Sequence, residues 1–469
     1  MTMGSFLDQK FIQSAKNYLS KQLFPPNHKS RSEMNKLSSL GIKYPTLRDH
    51  PLHSALTWLN GKRADDGAEG FWRIHDCLYD FTEFINMHPG GKDWLKLTKG
   101  TDITEAFESH HVSPAPQKML ARFFVAKARQ PRNSPFTFEE DGFYRTLKKN
   151  VYEKLSTLPK NPVHRSKYIT DCLFASYIVS ALLSVYLKSL LVGTVAGLML
   201  SMAAIAAHNF FHQKDSFRMY YFDFTMMLSR DWRISHALSH HLYTNTVNDL
   251  EISFAEPFLR YLPTKKNFVV RYLSWVYSPV IFALLFPASF TKTLLQMVFV
   301  GQEFTWPIIL PLTVPVLMLL VTGESAAFCG TMFFWIITVG GLHFGLVGIN
   351  AGHHHPDRFH DGDKARPKEE QDWGIFQLDA VMDRKDITGS HFLVLTNFGD
   401  HALHHLFPTV DHGLLDYLYP VFLETCKQFG TEWILSTQLE TTKGQYRQLA
   451  KVEPKRSPPK PVGKGNKLE

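Results

Sequence analysis

The sequence predicts two units of different fold class: a small α+β domain, followed by an all-α domain that crosses a membrane several times. Three observations predict this. A stretch from about residue 54 to 129 is short, aromatic and mixed in patterning, with a tight turn at His88-Pro89-Gly90-Gly91. Four apolar segments of near-spanning length follow, in two hairpins: residues 168–187 with 190–207, and 304–321 with 326–348. Eight histidines gather in three groups beside those segments.

Composition bounds the rest. The 469 residues are too many for one ordinary domain. With 44% hydrophobic residues, apolarity is concentrated in particular segments. A net charge of +8 suits an acidic membrane surface, and the Lys and Arg residues form no single patch of the kind nucleic acid requires. The four cysteines, Cys77, Cys172, Cys329 and Cys426, contain no Cys-x-x-Cys pair, which excludes a disulfide framework and a cysteine zinc site. A reducing, cytosol-facing setting follows. No secretory signal pattern opens the chain, so membrane entry is expected through internal segments.

In chain order, residues 1–53 form an extension and linker, with an amphipathic helix expected over Met1 to Leu23. Residues 54–129 form the small domain. Residues 130–165, with Pro131 and Pro135, read as a releasing linker and a basic lead-in to the membrane. Residues 166–430 form the membrane domain, and 431–469 a polar tail whose Pro- and Lys-rich end from Lys451 reads as disordered. Within the membrane domain, residues 217–228 read as an interfacial helix.

The histidine groups are His208 with His212, His236 with His240 and His241, and His401 with His404 and His405. On an α-helix an i, i+4 pair projects from one face, so each group aims imidazoles at a common point. Imidazoles near apolar segments are costly to desolvate unless something coordinates them. Such a set suits iron, zinc, copper or nickel, and eight ligands are too many for one ion; two metals are implied. All three groups must then lie on one side of the bilayer. The apolar stretch 271–290, which lies between the hairpins, therefore re-enters, lies in the interface or crosses an even number of times. His353, His354 and His355 follow the last span and stand equally as further ligands or as loop residues. Asp231, Asp249 and Asp400 are candidates to orient imidazoles, or are plain solvated charges.

The order and spacing of these groups, with HHLFP at the third, resemble the membrane fatty-acid desaturase family over residues 168–422. The resemblance implies a di-iron, O2-dependent oxidase of lipid acyl chains in the endoplasmic reticulum membrane, with the eight histidines as iron ligands. The stretch LYDFTEFINMHPGG resembles the haem-binding core of cytochrome b5, which makes His88 one axial haem ligand. The segment holding Gly100, Thr101, Asp102, Thr104 and Phe107 then implies His111 as the second, with His110 as the alternative. A haem held by two histidines has no open position and relays single electrons. Tethering it to the oxidase raises the effective concentration of donor.

The fusion as a whole resembles a group of insect proteins defined by it. Expected partners are a lipid acyl substrate, O2 and NADH-cytochrome b5 reductase. The haem domain and histidines are expected on the cytosolic face. His401 stands where fused desaturases usually carry Gln, which leaves regiochemistry open. A lipid hydroxylase, or an electron-transfer haem protein without oxidase activity, remains an alternative.

Overall fold

The computed structural model describes residues 38–48, 52, 54–349 and 352–462. The helix expected over Met1 to Leu23 lies outside the described residues.

Helix α1 (Ala55–Asp65) starts on a reciprocal cap, in which the Ser54 hydroxyl accepts from the Thr57 N–H and the Thr57 hydroxyl from the Ser54 N–H. Strands β1 (Trp72–Ile74) and β2 (Cys77–Tyr79) form the hairpin expected of the aromatic run. A two-turn 3-10 helix, Thr82–Met87, leads to the His88 turn. Two short helices follow, α2 (Lys92–Thr98) and α3 (Thr104–His110), and β3 (Phe124–Lys127) closes the sheet against β2. Trp72, Ile74, Phe81, Leu95, Ile103 and Phe107 fill the core of this small domain.

The segment after it is not a free tether. Arg132 pairs with Asp102 at 2.7 Å and Glu105 at 2.5 Å, both in the small domain, and Phe136 and Phe138 are buried. Proline content alone suggested release; buried charge pairs and two aromatic anchors outweigh it. Helix α4 (Phe143–Leu155) buries Phe143, Tyr144, Leu147 and Val151 along one face, against Trp373 and the end of the membrane domain.

The membrane domain opens with α5 (Asn161–Tyr186) and α6 (Leu190–Phe211), joined through Lys188 at φ 50°. Gly197 lets α6 pack closely on a later helix, because a Cβ there would lie 2.7 Å from the Ile336 carbonyl oxygen. Within residues 217–228, Phe217–Thr225 folds as a 3-10 helix, with Met219 and Phe222 packed into the bundle and Phe217 left exposed. Arg233–His240 is π-helical.

The stretch between the hairpins forms α7 (Ser274–Ala283) and α8 (Leu285–Phe299), bent by 65° at Leu284, as in a broken span or a re-entrant loop. Helices α9 (Leu310–Thr322) and α10 (Ala326–Gly348) follow, with Gly323 in the left-handed region closing α9. Among the described residues three helices, α5, α6 and α10, are long and apolar enough to cross a membrane, and the bent pair makes up to four if it is one span. Leu191 of α6, Leu320 and Val321 of α9, and Phe334 of α10 are left exposed.

At the histidine end, α11 (Trp373–Ala380) and α12 (His401–Leu406) complete the domain. The tail forms α13 (Gln438–Ala450) and then runs on in place: the Lys455 N–H donates to Asp363 and the Lys451 ammonium pairs with the same carboxylate at 3.1 Å. Through residue 462, then, the tail expected to be disordered is held in place by the Lys451 ion pair and the Lys455 backbone bond to buried Asp363, and by the Lys455 ammonium on the Arg358 carbonyl.

The small domain docks through α3. Glu108 is buried and meets His75 at 2.9 Å, Arg145 at 2.7 Å and Lys148 at 3.0 Å, the last two from α4. Burial alone would raise its pKa, but the hydrogen bond from His75 and the charges of Lys148 and Arg145 outweigh it and lower it to about 2. A carboxylate depressed in the fold stabilises fully above its unfolded value of about 4.3 and loses that contribution as pH falls toward about 2. Glu108→Ala leaves two cations facing an empty acid position, and we expect docking to weaken by about 3–5 kcal/mol. Limited proteolysis then cuts between residues 130 and 142 in the variant only; equal resistance would contradict the docking role.

Candidate metal centre

All three histidine groups meet at one place, at the junction between the apolar helices and the layer that carries α4, α11 and α12. His208 comes from the last turn of α6 and His212 from the residue that caps it. Their Nε2 atoms lie 2.8 Å apart, as the i, i+4 spacing predicts.

The second group departs from its expected geometry. His236 and His240 fall in different all-histidine sets, although both reach Glu251, at 3.0 and 3.9 Å; their rings stack 5.3 Å apart. The π-helix places residue i+5 over residue i, and the His241 N–H donates to the His236 carbonyl. His236 Nε2 therefore meets His241 Nε2 at 3.0 Å, while His240 turns to His353 at 3.1 Å. The third group divides as well. His404 Nε2 lies 3.2 Å from His208 Nε2, whereas His401 Nε2 lies 2.6 Å from His353 Nε2.

Among the described residues two all-histidine donor sets result, beside a third grouping of His236 and His240 with Glu251. His208, His212, His236, His241 and His404 form one; His240, His353 and His405 form the other, with His401 against His353. All are buried. Donor nitrogens about 3 Å apart are the edges of a polyhedron whose metal–nitrogen bonds are about 2.1 Å, so both sets fit an ion. Burial first, then neighbouring imidazoles, hold His212, His241, His401, His404 and His405 well below the usual histidine pKa, so they stay neutral donors. Burial also lowers His240, but the Asp249 carboxylate and Glu251 outweigh it and raise the pKa.

Behind the donors sit groups that fix the ring tautomers. His240 Nδ1 donates to Asp249 at 2.9 Å, His236 Nδ1 to Glu251 at 3.0 Å, and His405 Nδ1 to the Gln377 side-chain oxygen at 3.1 Å. Of the three aspartates singled out in the sequence, only Asp249 serves an imidazole. Asp231 takes the Gln302 amide and Asp400 the Tyr419 hydroxyl, because their backbone positions turn both carboxylates away. Glu251 and Gln377 carried no signal beyond their type. His412, supported by Asn209 at 2.9 Å, packs 4.4 Å from the His404 ring. In the His353-His354-His355 run, His353 alone joins a donor set; His354 stacks on Tyr261 at 3.7 Å.

A cavity of about 220 Å³ opens onto His236, His240, His353 and His401, walled by Leu285, Phe344 and Phe398. A larger cavity, about 630 Å³ and mainly apolar, lies in the small domain. His88 and His111 face each other across it, with ring centroids 6.2 Å apart and planes at 86°. Their Nδ1 atoms donate to the Gly91 and Phe107 carbonyls, leaving each Nε2 toward the other. Two metal–nitrogen bonds of about 2.0 Å and two half-rings span nearly that distance. His110 packs on Trp94 instead, at 5.4 Å. His111 is thus the ring opposed to His88.

Comparison with known proteins agrees with both sites. Residues 184–437 match the fatty acid desaturase family model, and residues 59–129 the cytochrome b5-like heme/steroid binding domain. The chain is similar to a cytochrome b5-related protein of Drosophila melanogaster, 44% identical over 423 residues, covering 89% of this chain and 97% of that protein. It is 24% identical over 420 residues to the probable Delta(5) fatty acid desaturase C of Dictyostelium discoideum, covering 80% and 90%. The small domain is similar to mouse cytochrome b5 type B, 39% identical over 61 residues, or 13% of this chain and 42% of that protein. No solved structure matches the chain significantly. The cofactors of the two domains are haem and a pair of irons, and the residues described above fit both. The chain belongs to the fatty acid desaturase family, as a member fused to a cytochrome b5-like domain.

Proposed function

We propose that the chain is a membrane-bound, O2-dependent oxidase of lipid acyl chains, a desaturase that draws single electrons from its own haem domain. One observation carries this reading: nine imidazoles converge in two sets beside an apolar cavity, with a haem-sized cavity close behind them. His208, His212, His236, His241 and His404 would hold one iron, and His240, His353, His401 and His405 the other. When bound, the iron pair supplies the oxidising power, from O2 and two electrons, that removing hydrogen from an unactivated methylene requires.

The chain's own residues do the rest. Asp249, Glu251 and Gln377 hold the Nδ1 protons of His240, His236 and His405, which turns each Nε2 to the metal and strengthens it as a donor. Leu285, Phe344 and Phe398 wall the cavity where an acyl chain would lie, and exclude water from it. On the haem side, His88 and His111 would fill both axial positions, which restricts that iron to electron relay.

The turns of the two helical hairpins carry Lys188 and Glu324, which pair at 2.9 Å, at the far end from the histidines. Lys214, Arg218, Arg230, Arg233, Lys265 and Lys266 lie toward the histidine end of the chain's path. By the excess of cationic residues on cytoplasmic loops, we take the histidine end as cytosolic, at the endoplasmic reticulum membrane, with NADH-cytochrome b5 reductase as the electron source.

Expression in a desaturase-deficient cell, with mass spectrometry of total lipids, tests the reading. New unsaturated acyl chains are expected from the native chain, and none from His240→Ala, which keeps its haem spectrum but loses iron. Full activity in that variant would overturn the reading. His88→Ala should lose the low-spin haem spectrum, keep its non-haem iron, and recover part of its activity when free cytochrome b5 is added. Asp249→Asn should weaken metal binding by about 10–100-fold, read by competition with a chelator; unchanged affinity would remove Asp249 from its supporting role.

A further inference from the structure

The haem cavity is not enclosed by the small domain alone. His212, Gln213, Lys214, Leu238 and Thr409 of the desaturase domain complete its wall beside His110. His212 belongs to the five-histidine donor set as well, so one imidazole borders both the haem cavity and the metal centre.

His110 stands at the same wall. Its Nδ1 donates to the Ala106 carbonyl at 3.0 Å, and its backbone carbonyl accepts from the Thr409 hydroxyl at 3.2 Å, across the domain boundary. Its ring packs on Trp94, over which the Arg233 guanidinium lies at 5.0 Å, and Arg233 in turn donates to the Phe211 carbonyl at the end of α6. The electrostatic neighbours of His110 are His88 and His111 on one side, and His212 and His404 on the other. Its Nε2 is buried without a partner, as is Nδ1 of His212. A purely structural ring at this position would be better apolar, because a buried imidazole nitrogen left unpaired costs free energy.

We propose that His110 and His212 form the path by which electrons pass from the haem to the non-haem metals, with His212 as the entry point and His110 as the positioned ring that fills the gap before it. This rests on the desaturase reading above. Each transfer oxidises a ferrous haem iron to ferric and reduces one ferric non-haem iron to ferrous. No bond forms or breaks, and His110 neither gains nor loses a proton. Packed matter carries electron tunnelling better than a void, so a ring packed at the wall between the haem cavity and the five-histidine set has a direct effect on the rate. Docking by Glu108, two residues before His110 on the same helix, holds the ring in register.

The test uses the full-length protein loaded with haem and iron, without O2 or lipid, so that catalysis plays no part. A photoreductant reduces the haem in a flash, and its Soret absorbance follows re-oxidation by the ferric non-haem site. Native protein is expected to show a fast phase, and His110→Leu to slow it about tenfold or more, with haem spectrum, haem midpoint potential and non-haem iron content unchanged. His110→Phe, which keeps an aromatic ring, should retain most of the native rate. Equal slowing in both variants moves the coupling to the imidazole nitrogen and still supports His110 as the bridge. Native rates in both variants overturn the proposal, as does loss of the low-spin haem spectrum in both, which would make His110 an axial ligand. A native protein with no non-haem iron and no fast phase would instead sink the desaturase reading itself.

Discussion

Nine buried imidazoles with few counter-charges are the constraint on which this structure depends. In their neutral form each has one donor and one acceptor, and at Nε2 separations of 2.6–3.2 Å they cannot satisfy one another by hydrogen bonds alone. Ions at the two foci would reconcile that crowding with burial. The need for metal therefore shapes the backbone: a π-helical stretch splits His236 and His241 from His240, and Gly197 lets α6 and α10 come close enough to fix where His208 ends.

The same requirement governs the membrane passage. Residues from α6, the π-helical stretch, the loop after α10 and α12 all reach one point. Between them α7 and α8 meet at a 65° bend, the shape of a broken span or of a re-entrant loop. Pro279 and Pro287 lie on either side of that bend, where missing backbone donors weaken helical continuity.

Much of the site was legible before any coordinates. The three histidine groups, the His88 turn and the paired apolar segments each carry a local signature, and local signatures survive folding. What the sequence hid was tertiary. Nothing in the spacing of His236, His240 and His241 distinguishes a π-helix from an α-helix, so the division of ligands between two ions was invisible. His353 looked no different from His354 until one met His401 and the other Tyr261. Asp400 resembled Asp249 as a neighbour of histidine, yet a left-handed backbone at Asp400 sends its carboxylate to Tyr419. The linker deceived for a related reason: Pro131 and Pro135 suggested freedom, while Arg132 between them binds two buried acids in the haem domain.

Metal analysis of the purified, full-length chain tests the central claim most directly. Total iron is compared with haem, measured from its pyridine haemochrome spectrum, in protein from iron-replete cells. Two donor sets and one haem cavity predict two non-haem irons for every haem. A preparation with intact fold, full haem and no iron beyond it would contradict the assignment of the buried histidines as a di-iron site.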